Sequence, residues 1–245
     1  MDYRHYHFSK KETAENLLLF LALDGCISYL FYRSVLVFVL GLFLVKRFFR
    51  EREKDLCEKR KEKLAGEFLV AMQSVTTSLT AGYSVETAFE DALAELSGMY
   101  GEKDMILQEF RYIVSQLHMN RNLEELLTGL ADRSGIEDLR NFAELFAVAK
   151  RSGGNLIAII RSAVRNISRK EETRREIGTA LSAKKMEQNM MSMIPCLILL
   201  YVQTVSPGFL DGMYHNIAGV TVMSLALAVY AFAYFWGKKI IAIEV

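Results

Sequence analysis

The chain has 245 residues, 51% of them hydrophobic and 24% charged, with a net charge of +1 and only two prolines. That length holds one or two domains, and the lack of turn clusters at strand spacing argues against an all-β fold. The balanced total excludes the broad basic surface of a nucleic-acid binder, and no nucleic-acid partner is expected.

The charge is strongly localised. Basic residues exceed acidic ones from Lys46 to Lys63 and again from Arg161 to Lys185, the stretch from Glu86 to Glu109 is acidic, and no Lys or Arg occurs between Lys185 and Lys238. Positive charge flanking apolar blocks is what the positive-inside rule expects of cytoplasmic segments. Residues 1–16 are a polar, cytoplasmic N-terminal segment with no small-residue cleavage site after the first apolar block, so no signal peptide is expected.

Residues 17–49 form that block, interrupted by Asp24 and Arg33. As one helix, Leu17 to Val45 would run roughly 43 Å, too long for a ~30 Å hydrocarbon core. A hairpin of two short spans, turning near Phe31-Tyr32-Arg33-Ser34, keeps Arg33 at the far interface and Tyr29 and Tyr32 in the aromatic belt. Asp24 is the acidic group left at lipid depth, a functional candidate or a partner-bonded residue near the turn.

Residues 50–189 read as a cytoplasmic helical domain. Phe68, Met72, Val75 and Leu79 recur at helical spacing before Gly82, a cap position. Ser84 caps the next helix, with Val85, Ala88, Phe89, Ala92, Leu93 and Leu96 on one face. Ile106, Phe110, Ile113, Val114 and Leu117 mark a third helix, and Leu123, Leu126, Leu127 and Leu130 a fourth. Ile136, Leu139, Phe142, Leu145, Phe146 and Val148 mark a fifth, stopped at Ser152-Gly153-Gly154. The sixth starts near Asn155 and passes from a charged half, through Lys184 and Lys185, into the apolar stretch Met190 to Val205. Residues 190–237 form a second transmembrane hairpin, closed by Lys238 and Lys239, and 238–245 a cytoplasmic tail. The expected fold is an all-α membrane protein with four spans: an antiparallel six-helix bundle flanked by two transmembrane hairpins.

No residue pattern carries chemistry. His5 and His7 lack a third metal ligand, no Ser, His and acid grouping suggests a triad, and no glycine-rich stretch has the context of a phosphate loop. No catalytic, cofactor-binding or metal site is expected, no cofactor, and no enzymatic activity. Glu176, Lys184 and Glu187 stand out on the helix that approaches the membrane. Lys184 is placed to snorkel to the headgroups, and Glu187, three residues on, is placed to pair with it.

Several strings resemble a known family. Leu79-Thr80-Ala81-Gly82-Tyr83-Ser84 with Ala88-Phe89 is similar to the helix-turn-helix that opens the type II secretion F domain. Phe142-Ala143 through Lys150-Arg151-Ser152-Gly153-Gly154-Asn155-Leu156 resembles its apolar helix ending in a double glycine. Glu176-Ile177, Leu181-Ser182-Ala183-Lys184-Lys185-Met186-Glu187 and Pro195 resemble the membrane-entering signature of the tight-adherence (TadB/TadC-like) branch, as Tyr29 to Ser34 resembles its hairpin turn. The resemblance implies a non-enzymatic platform protein of a bacterial or archaeal inner membrane, serving type II secretion or a type IV (Flp/Tad) pilus. It implies a hexameric cytoplasmic secretion ATPase and a pilin or pseudopilin as partners. Larger relatives carry two copies of the helical domain and this chain one, which implies a homo-oligomer or a sister platform subunit. Glu176, Lys184, Glu187, Gly82, Gly153 and Gly154 are then the candidates for partner contact or coupling. Two other readings compete: a small transporter or channel subunit with Asp24 in its pathway, and a membrane-bound signalling scaffold.

Overall fold

The computed structural model describes residues 3, 8, 10–151, 156–206, 208–214 and 216–243. Among them all regular structure is helical, with no strand. The chain divides into two compact units, one formed by Met1–His7 with Glu53–Glu172, the other by Phe8–Arg52 with Thr173–Val245.

In the first unit, α3 (Val45–Thr80) contributes its residues from Glu53 onward, followed by α4 (Val85–Met99), α5 (Met105–Leu117), α6 (Leu123–Ser134), α7 (Glu137–Arg151) and the start of α8 (Leu156–Val205). Each lays an apolar stripe into one core: Phe68, Met72 and Val75 of α3, Phe89 and Leu96 of α4, Ile106 and Phe110 of α5, Leu127 and Leu130 of α6, Phe142 and Phe146 of α7, Ile160 of α8. Phe89 stacks on Phe110 with ring centroids 5.4 Å apart, and Phe68 meets Phe142 edge-on at 5.5 Å. The punctuation is local chemistry. The Ser84 hydroxyl accepts the Thr87 N–H at 3.2 Å, an N-cap. Gly82 adopts φ 94° between α3 and α4, and Gly135 adopts φ 62° after α6, a left-handed conformation that costs glycine little.

Not every residue of the expected stripes is inside. On α7, Leu145 and Val148 are exposed, while the small Ala143 and Ala149 are buried. The buried face runs through 139, 142, 143, 146 and 149; at about 100° per residue 148 falls on the opposite side and 145 at the flank of that face.

In the second unit, α1 (Lys10–Ile27) passes into a π-helical turn, Ser28–Tyr32, which ends at Arg33 with φ 48° and an extended Ser34. The chain returns through α2 (Val35–Gly41), a 3₁₀ turn at Leu42–Leu44 and the start of α3. The two limbs run antiparallel: Phe20 meets Phe48 with centroids 5.3 Å apart, and Arg52 donates to Asn16 at 3.3 Å. The apolar half of α8, the short α9 (Asp211–Tyr214) and α10 (Ile217–Ile243) complete the unit. Leu30, Phe31, Tyr214 and Met223 form its small buried cluster.

Among the described residues, three helices are long and apolar enough to cross a membrane: Lys11–Tyr32, Leu156–Val205 and Ile217–Ile240. The sequence expectation was four. The limb after Arg33 is not among them, because α2 is seven residues long and the helix that follows its 3₁₀ turn is charged from Lys46 onward.

Candidate functional site

The long helix α8 carries the candidate coupling residues, and the structure places them unevenly. Lys184 Nζ lies 3.0 Å from Glu187 Oε2, one turn along α8, with both side chains more than half exposed. Such an exposed pair contributes little to stability. Both rim an apolar cleft of about 380 Å³ between α8 and α10, lined also by Leu181, Gln188, Met191 and Gly237. Inside the cleft Gln188 Nε2 donates to the Tyr234 carbonyl at 3.3 Å. A Cβ on Gly237 would sit 2.5 Å from that nitrogen, so a larger residue there would push the Gln188 amide aside. Glu176 is exposed two turns before Lys184 and is not brought to it.

Gly82 sits in the turn ahead of α4. At that end of the first unit, a groove of about 220 Å³ is lined by Glu86, Leu117, Arg121, Phe146, Lys150 and Leu156. Lys150 donates to Glu124 at 2.9 Å. Burial raises the Glu124 carboxyl, but the hydrogen bond and charge of Lys150 outweigh it and hold the group below its ordinary range. The groove lies where α8 begins, at the opposite end of its bundle portion from Glu172, where the chain leaves this unit. Gly153 and Gly154 lie outside the described residues, as do His5 and His7. Asp24 packs against Gly41, so closely that a Cβ there would collide with its carboxylate, and its Oδ2 is buried without a hydrogen-bond partner among the described residues. Among those residues no group of three His, Cys, Asp or Glu side chains is placed to hold a metal.

Sequence reasoning missed two polar clusters inside the first unit. The Tyr3 side chain is fully buried there; its hydroxyl donates to Glu109 Oε1 at 2.9 Å, and Arg133 donates to Glu109 Oε2. The Tyr3 N–H donates to the Arg133 carbonyl at 3.0 Å, and the Arg60 guanidinium lies 5.1 Å from the centre of the Tyr3 ring. In the second cluster, the buried Glu67 carboxylate accepts the Ile106 N–H at 3.3 Å, at the start of α5, where the helix dipole favours negative charge. Lys63 bridges Glu67, at 3.4 Å, and Asp104, at 2.9 Å. That hydrogen bond, with one from the Gly101 N–H, holds the Asp104 carboxyl below its ordinary value. A signal existed: Glu67 and Glu109 sit on the apolar stripes, one residue before Phe68 and Phe110.

Residues 71–204 match the family model described as Type II secretion system (T2SS), protein F. The chain belongs to that family. The match starts in α3, covers α4 to α7 and runs almost to the end of α8, so one family domain takes in both most of the first unit's core and the apolar half of the long helix. No curated protein and no solved structure matches the chain. With three membrane-length helices and this family, it is a membrane protein of secretion or pilus-assembly machinery.

Proposed function

We propose that this type II secretion F-family chain is a non-enzymatic inner-membrane platform of the tight-adherence (TadB/TadC-like) branch, coupling a cytoplasmic secretion ATPase to pilin assembly or export. In this reading the first unit is a cytoplasmic antiparallel six-helix bundle, and the apolar segments form two transmembrane hairpins with both termini cytoplasmic. The observation that carries it is the unbroken α8, fifty residues from the groove at Leu156 to Val205, matched as part of a single family domain. Its interior proline, Pro195, removes one backbone hydrogen bond within the apolar half and leaves the charged half intact. A continuous helix passes on a displacement at one end with little loss, which is what a part without chemistry of its own needs in order to transmit work.

The ATPase meets the groove around Glu86, Arg121 and Lys150, at the start of α8. A second copy or a sister platform subunit supplies the other helical domain, and pilin engages the apolar helices. Lys184 and Glu187 hold the membrane-entering turn of α8 in register with the headgroups, where the ammonium of Lys184 favours the anionic leaflet.

The test uses the full chain in its own membrane. Solubilised in mild detergent, it should co-purify with the secretion ATPase, and a strain lacking it should lose surface pili or the exported substrate. Lys184→Glu should reduce assembly while leaving the ATPase bound. Normal assembly in the deletion strain, or full-length protein free of any ATPase under conditions that preserve the complex, would refute the reading.

A further inference from the structure

Two adjoining cavities at the end of the first span point to a bound amphiphile. The π-helical turn Ser28–Tyr32 leaves the Leu30 carbonyl accepting from outside its own helix, from the Tyr214 hydroxyl at 2.8 Å and Gln203 Nε2 at 3.4 Å. Gln203 Nε2 also donates to the Tyr214 oxygen at 2.7 Å. The amide's donors are thereby used, and its Oε1 is buried with no partner among the described residues. Beside it, Arg33 Nη1 lies 2.9 Å from Asp211 Oδ1. These groups, with Tyr29 and Ser206, enclose a polar cavity of about 280 Å³, slightly below the ~300–1,000 Å³ usual for small-molecule sites.

A second cleft of about 260 Å³ shares Tyr29 and Arg33 with the first and continues past Gly25, Ser28, Val35 and Phe38, between the two limbs of the N-terminal segment. Its inner wall is mostly apolar, with Arg33 and Ser34 at the mouth it shares with the first cavity; within it Ser28 is only 5% exposed, and its hydroxyl has no partner among the described residues. Buried polar atoms are normally satisfied, so the two cavities together lack one acceptor's donor and one donor's acceptor.

The position fixes the surroundings. The first membrane-length helix ends at Tyr32, the second at Val205, and the third begins at Ile217, so the polar cavity lies at headgroup level and the cleft runs into the hydrocarbon. We propose that the double cavity seats one phospholipid with a phosphoethanolamine headgroup. The Arg33 guanidinium has five N–H donors and spends one on Asp211, so it has others for the phosphate. The lipid ammonium lies against Asp211 and donates to Gln203 Oε1, the Ser28 hydroxyl donates to an ester carbonyl, and an acyl chain fills the slot between Val35 and Phe38. A phosphocholine head has no N–H for Gln203, and a phosphoglycerol head brings net negative charge to Asp211 with no ammonium to offset it. The inference rests on membrane insertion of this unit and not on the platform reading.

The experiment is native mass spectrometry of the delipidated full-length protein, offered equal amounts of phosphatidylethanolamine, phosphatidylglycerol and phosphatidylcholine with identical acyl chains. One phosphatidylethanolamine per chain should be retained in preference to the other two by roughly tenfold or more, the worth of a hydrogen bond involving a charged group. Gln203→Leu and Asp211→Asn, each checked for unchanged helical circular dichroism, should bring its retention down to that of phosphatidylcholine. Equal retention of the three lipids by the wild-type chain, a preference for phosphatidylglycerol, or a phosphatidylethanolamine preference surviving both substitutions would each overturn the assignment. The wild-type comparison decides even if a variant fails to fold.

Discussion

At the scale of single residues, the most consequential side chain is Tyr3. Its ring is buried among α3, α5 and α6, and its hydroxyl meets a buried carboxylate held by Arg133. Tyr3→Ala should cost about 3 kcal/mol or more, as large aromatic truncations in cores do, and should show as a lower unfolding temperature. Burial first, and then the charge and hydrogen bond of Glu109, push the Tyr3 hydroxyl above its ordinary value of 10.0. A group raised on folding contributes stability that is complete below its unfolded value and is lost as pH rises beyond it. The wild-type chain should therefore lose stability above about pH 10 more steeply than Tyr3→Phe, which keeps the ring and has no proton to release. Identical alkaline limbs for the two proteins would show that the hydroxyl is not held as described. Tyr3 was illegible in the sequence because an aromatic in a short polar segment carries no period. Glu109 was legible in principle, since 106, 109, 110 and 113 share a helix face and a carboxylate on such a face must find a partner.

At the scale of elements, periodicity and caps placed most of the chain. The buried residues of α3 to α7 are largely those at helical spacing, and Gly82 and Ser84 stand at the boundaries their chemistry favours. Leu145 and Val148 failed because hydrophobicity alone does not say which side of α7 faces the core, and the two small alanines took the inner positions. The irregular turns around Ser28 and Leu42 were not foreseen, since π and 3₁₀ turns arise from packing between limbs and leave no local signature. Two substitutions test the element boundaries. Gly82→Val should destabilise by about 1 kcal/mol or more, because a β-branched residue at φ 94° is strained. Gly237→Leu should push the Gln188 side chain aside and break its hydrogen bond to the Tyr234 carbonyl. A disulfide cross-link engineered between the two helices away from position 237 should still form in that variant, and its loss would show that the backbone approach itself depends on glycine.

At the scale of the whole molecule, the chain passes between its two units three times, after His7, after Arg52 and after Glu172. The burial of Tyr3 in the core of the first unit requires the N-terminus to lie on the same side of the membrane as that unit. On the layout proposed above, with Cys26, Cys57 and Cys196 replaced, single cysteines at Glu15, Glu86 and Glu125 should all be shielded from a membrane-impermeant maleimide in intact cells. A cysteine at Phe209, in the connection from α8 to α9, should react. Labelling of Glu15 without Glu86 would break this topology. Composition and periodicity reached an all-helical chain with apolar helices of membrane length. They did not reach the return of the first residues to the soluble core, because that contact joins positions more than a hundred residues apart.

One practical result follows from Tyr3. A soluble piece cut from Glu53 to Glu172 by ordinary domain boundaries would carry an empty socket, with Glu109 and Arg133 facing a hole sized for a phenol. Such a piece should be recovered poorly or bind hydrophobic dyes, and adding the first seven residues as a free peptide, or joining them through a flexible linker ahead of Glu53, should repair it.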